Sequence, residues 1–279
     1  MLAFSFRGLC LAAGLGAVVG CSQAPTDGSS ASAIVGGQPS NGWLAAGYLT
    51  YADNADDLDP SQVACGATLI APNVIMTAAH CVLAQSSSTW AFGTGSPGST
   101  PLVTVGAPHV HPQYSASDPL RNYDLAYLIL ATPISDVTPA TVPTAEPADG
   151  CSDYQAIGYD SEGERVGVAA CIELRPTLGS DPILEVHPSG ETALCVNDGD
   201  YGSALVEGDP GAPVLVGLFV GSVTQVLTDC VTGTQYLDGY ESAYGYSSFF
   251  QQAVDDGASA LGTPNLGASE DAGADAGAE

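Results

Sequence analysis

Short apolar stretches separated by turn residues fill the middle of the chain. The β-forming stretches lie at residues 43–49, 125–130, 154–159, 166–174, 204–207 and 214–220. The last two flank Gly208-Asp209-Pro210-Gly211, a sequence that favours a tight turn. Short strands with frequent turn signals are typical of an all-β domain, and that is the fold class we predict.

The N-terminal segment has the pattern of an export signal. A lone positive charge at Arg7 precedes an apolar stretch over residues 9–19, which is too short to cross a bilayer as a helix. The stretch ends in Val18-Val19-Gly20-Cys21, which resembles a bacterial lipobox, although Val18 stands where leucine is more usual. We predict a signal peptide over residues 1–21, lipidation at Cys21 and membrane contact only through that anchor. Ordinary secretion is the alternative.

Two polar segments of simple composition bound the folded domain. Residues 22–33 are rich in Ser, Ala and Gly, which predicts a flexible tether. Residues 257–279 are acidic and lack apolar periodicity, which predicts a disordered tail. The folded domain is therefore expected over residues 34–256.

Composition agrees with a β-rich globular domain and limits the kinds of molecule that it is expected to bind. Of the 279 residues 45% are hydrophobic and 13% charged, and the 34 Gly and 19 Pro suit many turns. The formal net charge is −27, from 4 Lys+Arg against 31 Asp+Glu. Such a chain repels phosphate backbones, which argues against nucleic-acid binding, and it attracts basic partners or cations.

Two segments carry groups that bind metals in other proteins, but neither predicts a metal site. Residues 51–62 hold four aspartates whose spacing matches no calcium loop. His109 and His111 lie in a proline-containing segment that favours a surface loop. We therefore expect neither a metal nor another cofactor.

The candidate chemistry lies in three motifs. They are Thr77-Ala78-Ala79-His80-Cys81, Asn122-Tyr123-Asp124 and Gly199-Asp200-Tyr201-Gly202. The domain itself opens with Ile34-Val35-Gly36-Gly37. With these motifs in this order, the chain resembles the trypsin-like serine proteases over nearly all of residues 34–256.

This resemblance implies a fold and a set of roles. The fold is a pair of six-stranded antiparallel β-barrels packed face to face, followed by a short C-terminal helix at residues 247–253. His80 would be the general base, and Asp124 the buried carboxylate that orients it. The backbone amides of Gly199 and Tyr201 would form the oxyanion site.

Six cysteines follow the signal segment, an even number that suits an oxidising compartment. The resemblance implies two disulfides, Cys65–Cys81 and Cys195–Cys230. We also expect Cys151 to pair with Cys171, because these residues lie on or beside two strands predicted to be neighbours.

Activation in the family depends on a new N-terminus. The resemblance implies that the Ile34 ammonium, once freed, pairs with the Asp200 carboxylate beside the nucleophile position. Ala33 precedes Ile34 here, so an activator that cuts after Arg or Lys would not cleave this bond.

The nucleophile position breaks the pattern. Where the resemblance places a serine, the chain has Tyr201, whose oxygen would extend beyond the attack position and whose ring takes space that a substrate needs. Gly208-Asp209-Pro210-Gly211 is a second candidate for this loop and also has no serine at that position. Ser203 is expected to face away from His80.

These departures predict an exported, trypsin-like protease homologue that is catalytically inactive and binds a protein or peptide. Val220 stands where relatives have a serine that bonds the catalytic aspartate, and Gly221 where they have an aromatic residue lining the cleft. The alternatives are an active serine endopeptidase with an unusual nucleophile and a structural surface lipoprotein. We expect a monomer, held at the bacterial outer membrane or cell surface or else secreted.

Overall fold

The structure is a computed structural model that describes residues 37–117, 122–159, 163–173, 182–189, 200–222 and 238–262. Several predicted features lie outside these residues. They are the signal segment with Cys21, the tether, Ile34, Gly199 and the Cys195–Cys230 pair.

Strands dominate the described residues. The first eight are β1 (Gln38–Pro39), β2 (Ala46–Ala52), β3 (Cys65–Ala71), β4 (Val74–Thr77), β5 (Thr89–Thr94), β6 (Val103–Thr104), β7 (His109–Val110) and β8 (Ala126–Ile129). The others are β9 (Gly150–Tyr159), β10 (Arg165–Glu173), β11 (Ile183–Pro188), β12 (Ala204–Asp209), β13 (Ala212–Ser222) and β14 (Asp238–Ser242). The helices are α1 (Ala79–Ala84) and α2 (Ser247–Gly262).

The N-terminal half forms a seven-stranded antiparallel sheet in the order β6-β5-β2-β3-β4-β8-β7. Its edge strands, β6 and β7, are two residues long. Near these edges, Val105 forms an isolated bridge to Leu130. This sheet is therefore a half-barrel, because its two-residue edge strands do not pair along their length and the sheet comes together only around that bridge.

The C-terminal half closes completely. Its strands follow the order β9-β10-β11-β14-β13-β12, and β12 pairs again with β9 to complete a six-stranded antiparallel barrel. The all-β class and the C-terminal helix are thus confirmed, and the predicted barrel is present in this half. Apolar side chains fill its interior, and their removal from water stabilises the barrel. They include Tyr154, Val168, Val186, Leu205, Val216 and Phe219.

The two halves share a second, larger core. It combines buried residues of the half-barrel, such as Leu49 and Ile75, with Leu215 and Leu218 of strand β13. A buried cation adds to this contact. The Arg165 side chain, from β10, donates to the backbone oxygens of Ser40, Trp43 and Ala46 at 2.7, 3.0 and 3.2 Å. These contacts hold the half-barrel and the barrel against each other.

Helix α2 is longer than predicted. It continues to Gly262, past the boundary at residue 256 where the tail was expected to begin. The helix is held there because Gly257 lies against β4, where an added Cβ would come within 2.2 Å of Val74. The Asn73 side-chain amide also donates to the Gly257 carbonyl at 2.9 Å. Among the described residues, no helix combines the length and apolar character needed to span a membrane.

Candidate active site

The side chains of His80 and Asp124 contact each other in the N-terminal half of the domain. Strand β4 ends at Thr77, and His80 follows in the first turn of α1. Asp124 lies just before β8, 44 residues after His80, and is fully buried. Its Oδ2 lies 2.6 Å from His80 Nδ1, and its Oδ1 accepts a hydrogen bond from the His80 backbone amide at 2.8 Å. A carboxylate at Nδ1 favours the tautomer whose Nε2 is free to accept a proton.

A disulfide holds this histidine in place. The structure contains the Cys65–Cys81 bond, which joins α1 to the start of β3 one residue after His80. The second predicted bond, Cys151–Cys171, links β9 to β10 in the barrel. Thus two of the three predicted disulfides are present, and the third lies outside the described residues.

A loop from the barrel brings Tyr201 to His80. The Gly66 amide donates to the Tyr201 carbonyl at 2.7 Å, and the Gly202 amide donates to the Phe219 carbonyl at 2.8 Å. Gly202 has φ +80, and a Cβ there would lie 2.4 Å from the Gly66 carbonyl oxygen. Only glycine fits both the left-handed backbone and this close approach. The loop is therefore held tightly between the two halves.

The Tyr201 ring packs directly against the imidazole. Its edge-to-face contact with His80 has a centroid distance of 4.5 Å and an interplanar angle of 88°. On its other side it stacks on Phe219, with a centroid distance of 5.4 Å and an angle of 15°. The ring is partly buried against both cores. It thus fills the space between the imidazole and the barrel interior.

Asp200 is fully buried beside this loop. Its Oδ1 accepts a hydrogen bond from the Tyr159 backbone amide at 3.0 Å. Burial is the main cause that raises the pKa of Tyr240 well above its usual value, and the charges of Asp238 and Asp200 raise it further. The predicted pairing of Asp200 with Ile34 involves a residue outside the described part of the chain.

Ser203 is held away from solvent. Its side chain is 4% exposed, and Oγ has no hydrogen-bond partner among the described residues. A Cβ built on Gly66 would lie 2.3 Å from this oxygen, so Oγ faces the backbone of β3. The hydroxyl is thus packed into the contact between the halves.

Sequence reasoning missed Glu241. This residue, from β14, is fully buried, and its Oε1 accepts a hydrogen bond from the Asp124 backbone amide at 2.9 Å. Strand β14 has the sequence Asp238-Gly239-Tyr240-Glu241-Ser242, which contains no apolar run that would mark its glutamate as buried, so the sequence holds no local signal for this residue.

The histidines considered as metal ligands take part in ring stacking. His109 stacks on Tyr127 at a centroid distance of 4.5 Å, and His111 stacks on Tyr123 at 5.1 Å. Burial lowers the pKa of His111. Across the described ranges, no three His, Cys, Asp or Glu residues are placed to hold a metal ion.

Comparison with known proteins assigns the family. A sequence model of the family described as Trypsin matches residues 34–241, which is most of the chain. The chain belongs to the trypsin family. This membership and the two disulfides indicate an exported protein, because disulfides persist in oxidising compartments.

Two curated relatives show how distant the trypsin-family matches are. The chain is 29% identical over 164 residues to an ovochymase from Halocynthia roretzi, covering 53% of this chain and 10% of that protein. It is 26% identical over 165 residues to a trypsin from Saccharopolyspora erythraea, covering 56% of this chain and 71% of that protein. The chain thus spans a tenth of the first relative's length.

Proposed function

We propose that this trypsin-family protein is a catalytically inactive homologue that binds a basic protein or peptide. The observation that carries the proposal is the position of the Tyr201 ring, packed between His80 and Phe219. Family resemblance puts the nucleophilic serine at this residue. Acyl transfer needs a hydroxyl beside the base and an open site for the carbonyl, and a phenol ring in that space opposes both.

Catalysis by a substitute nucleophile is the competing function, and the intact His80–Asp124 pair favours it. Ser203 is the nearest serine in sequence, but its Oγ is buried against Gly66. A nucleophile must reach both the base and the incoming carbonyl. The burial of this hydroxyl therefore supports the inactive function over the active one.

A fluorophosphonate probe tests for catalysis, because it forms a covalent adduct with an activated serine. We expect the wild-type protein to gain no adduct mass, and to label no faster than its His80→Ala variant, which lacks the base. Intact-mass spectrometry of both proteins measures this. An adduct that forms on the wild type and not on His80→Ala would show an active enzyme and overturn the proposal.

The charge of the molecule supports a basic partner. Arg165 is the only arginine or lysine among the described residues, and it is 2% exposed and bonded to backbone carbonyls. The described surface therefore presents carboxylates with no lysine or arginine to balance them. Such a field attracts cationic molecules and weakens as salt screens it.

Fluorescence anisotropy with a labelled arginine-rich peptide tests this part of the proposal. We expect binding at low ionic strength that weakens at least tenfold on going to about 0.5 M salt, where the Debye length is well under 10 Å. A peptide of the same length with glutamate in place of arginine is the control. Equal binding of the two peptides would contradict charge-based recognition.

We also propose that the protein is a bacterial lipoprotein anchored through Cys21. The support is the resemblance of Val18-Val19-Gly20-Cys21 to a lipobox. The intact mass of the exported protein distinguishes a lipidated chain that begins at Cys21 from a chain secreted without lipid.

A further inference from the structure

The backbone around Asp124 has an uncommon shape. Tyr123 has φ 61, in the left-handed region that side chains other than glycine rarely adopt. The Leu125 amide donates to the Tyr123 carbonyl at 2.7 Å, which closes a three-residue turn centred on Asp124. Backbone of this kind persists only where the surroundings hold it.

Glu241 supplies one of the contacts that hold the turn. Its Oε1 accepts the hydrogen bond from the Asp124 amide at 2.9 Å, and Glu241 is fully buried, so water does not compete for this bond. Glu241 lies inside β14, where it pairs with Ile183 of β11 and Leu218 of β13. The carboxylate therefore extends from a backbone that is fixed on both sides by the closed barrel.

The other polar groups of Asp124 bond to the histidine segment. The Asp124 carbonyl accepts from the Ala79 amide at 3.3 Å, and both carboxylate oxygens contact His80. The barrel thus holds the amide of Asp124 while α1 holds its carbonyl and side chain.

We infer that Glu241 is a positioning residue for the His80–Asp124 pair. It acts through the Asp124 amide and aims the Asp124 carboxylate at His80 Nδ1. The inference does not depend on whether the protein cleaves peptides, because it concerns the geometry of the pair and not the group that the imidazole would activate.

Three variants separate positioning from general stability. Glu241→Gln keeps an oxygen acceptor at the same reach, Glu241→Asp withdraws the acceptor by one methylene, and Glu241→Met keeps the volume without an acceptor. Val186→Ala is the control, because Val186 is fully buried in the same barrel but lies in its separate core. All four substitutions change a fully buried side chain on a strand of the same barrel, but only the Asp and Met variants break the bond to Asp124.

The readout is the proton that His80 Nδ1 shares with Asp124. A proton in a short charge-assisted hydrogen bond gives a far-downfield NMR signal, which His80→Ala identifies by its loss. We expect the signal to persist in Glu241→Gln and Val186→Ala and to be lost or shifted in Glu241→Asp and Glu241→Met. Crystal structures of the Gln and Met variants measure the same geometry directly. The Nδ1–Oδ2 distance should stay near 2.6 Å in the first and lengthen in the second.

Two outcomes would overturn the inference. One is an unchanged signal and an unchanged Nδ1–Oδ2 distance in both Glu241→Asp and Glu241→Met. The other is a signal change in Val186→Ala as large as in those variants, which would make the effect one of barrel stability alone. Failure of one variant to fold leaves the other three and the crystallographic distance to decide.

Discussion

Tyr201→Ser is expected to make the protein react with a fluorophosphonate probe. The change removes the ring that lies against His80 and places a hydroxyl on the same backbone, beside a base already oriented by Asp124. Loss of the serine nucleophile costs about 10⁶ in turnover in subtilisin, so restoring one should raise labelling by several orders of magnitude. The rate of adduct formation, followed by intact mass, measures the gain.

Two controls separate a new nucleophile from a newly opened cleft. Tyr201→Ala removes the same ring without supplying a hydroxyl, and Tyr201→Ser combined with His80→Ala supplies the hydroxyl without its base. Neither should label. If Tyr201→Ser reacts no faster than Tyr201→Ala, the substitution at residue 201 is not the sole obstacle. Val220 and Gly221, the other departures near the cleft, would then be the next positions to change.

Arg165→Met is expected to cause the largest loss of stability in the domain. The Arg165 side chain donates to the Ser40, Trp43 and Ala46 carbonyls at 2.7, 3.0 and 3.2 Å. Methionine fills a similar volume but donates no hydrogen bond, so the Ser40 and Ala46 carbonyls lose the guanidinium, while the Trp43 carbonyl keeps only its bond from the Ala46 amide. A buried polar group that loses its partner costs about 1–3 kcal/mol, so for two such carbonyls we expect a loss of roughly 2–5 kcal/mol after partial rehydration.

Urea unfolding, followed by tryptophan fluorescence, measures the effect of Arg165→Met. Total stabilities of about 5–15 kcal/mol are usual for a domain, so the variant should unfold at a much lower urea concentration or fail to fold at all. Arg165→Lys is the matched control, because it keeps a donor and a charge but cannot bond to all three carbonyls. Its free energy of unfolding should lie between those of the wild type and Arg165→Met. A free energy of unfolding for Arg165→Met within about 1 kcal/mol of the wild type would contradict a role for Arg165 in joining the halves.

Features encoded in short segments could be predicted from the sequence. The hairpin of β12 and β13 follows from two β-forming stretches around Gly208-Asp209-Pro210-Gly211, and the structure forms it with slightly longer strands. The pairing of Cys151 with Cys171 follows from two adjacent strands. In each case neighbouring residues determine the structure, because turn chemistry and β-propensity act over a few residues.

The length of the C-terminal helix shows where such reasoning stops. Residues 257–262 have the composition of the tail, with two glycines, and their sequence predicts no helix. The structure continues the helix through them because Gly257 fits against Val74 without a side chain. That contact lies between residues far apart in the chain, so no local pattern could indicate it.

The sequence by itself determined the all-β class, the positions of His80, Asp124 and Tyr201 and two of the disulfides. Only the tertiary structure decided that the first sheet stays a half-barrel, that the Tyr201 ring packs on His80 and that Glu241 bonds to the Asp124 amide. The physical reason is the range of the interactions. Propensity and turn chemistry act within a few residues, whereas burial and hydrogen bonding join groups such as Asp124 and Glu241, which are 117 residues apart.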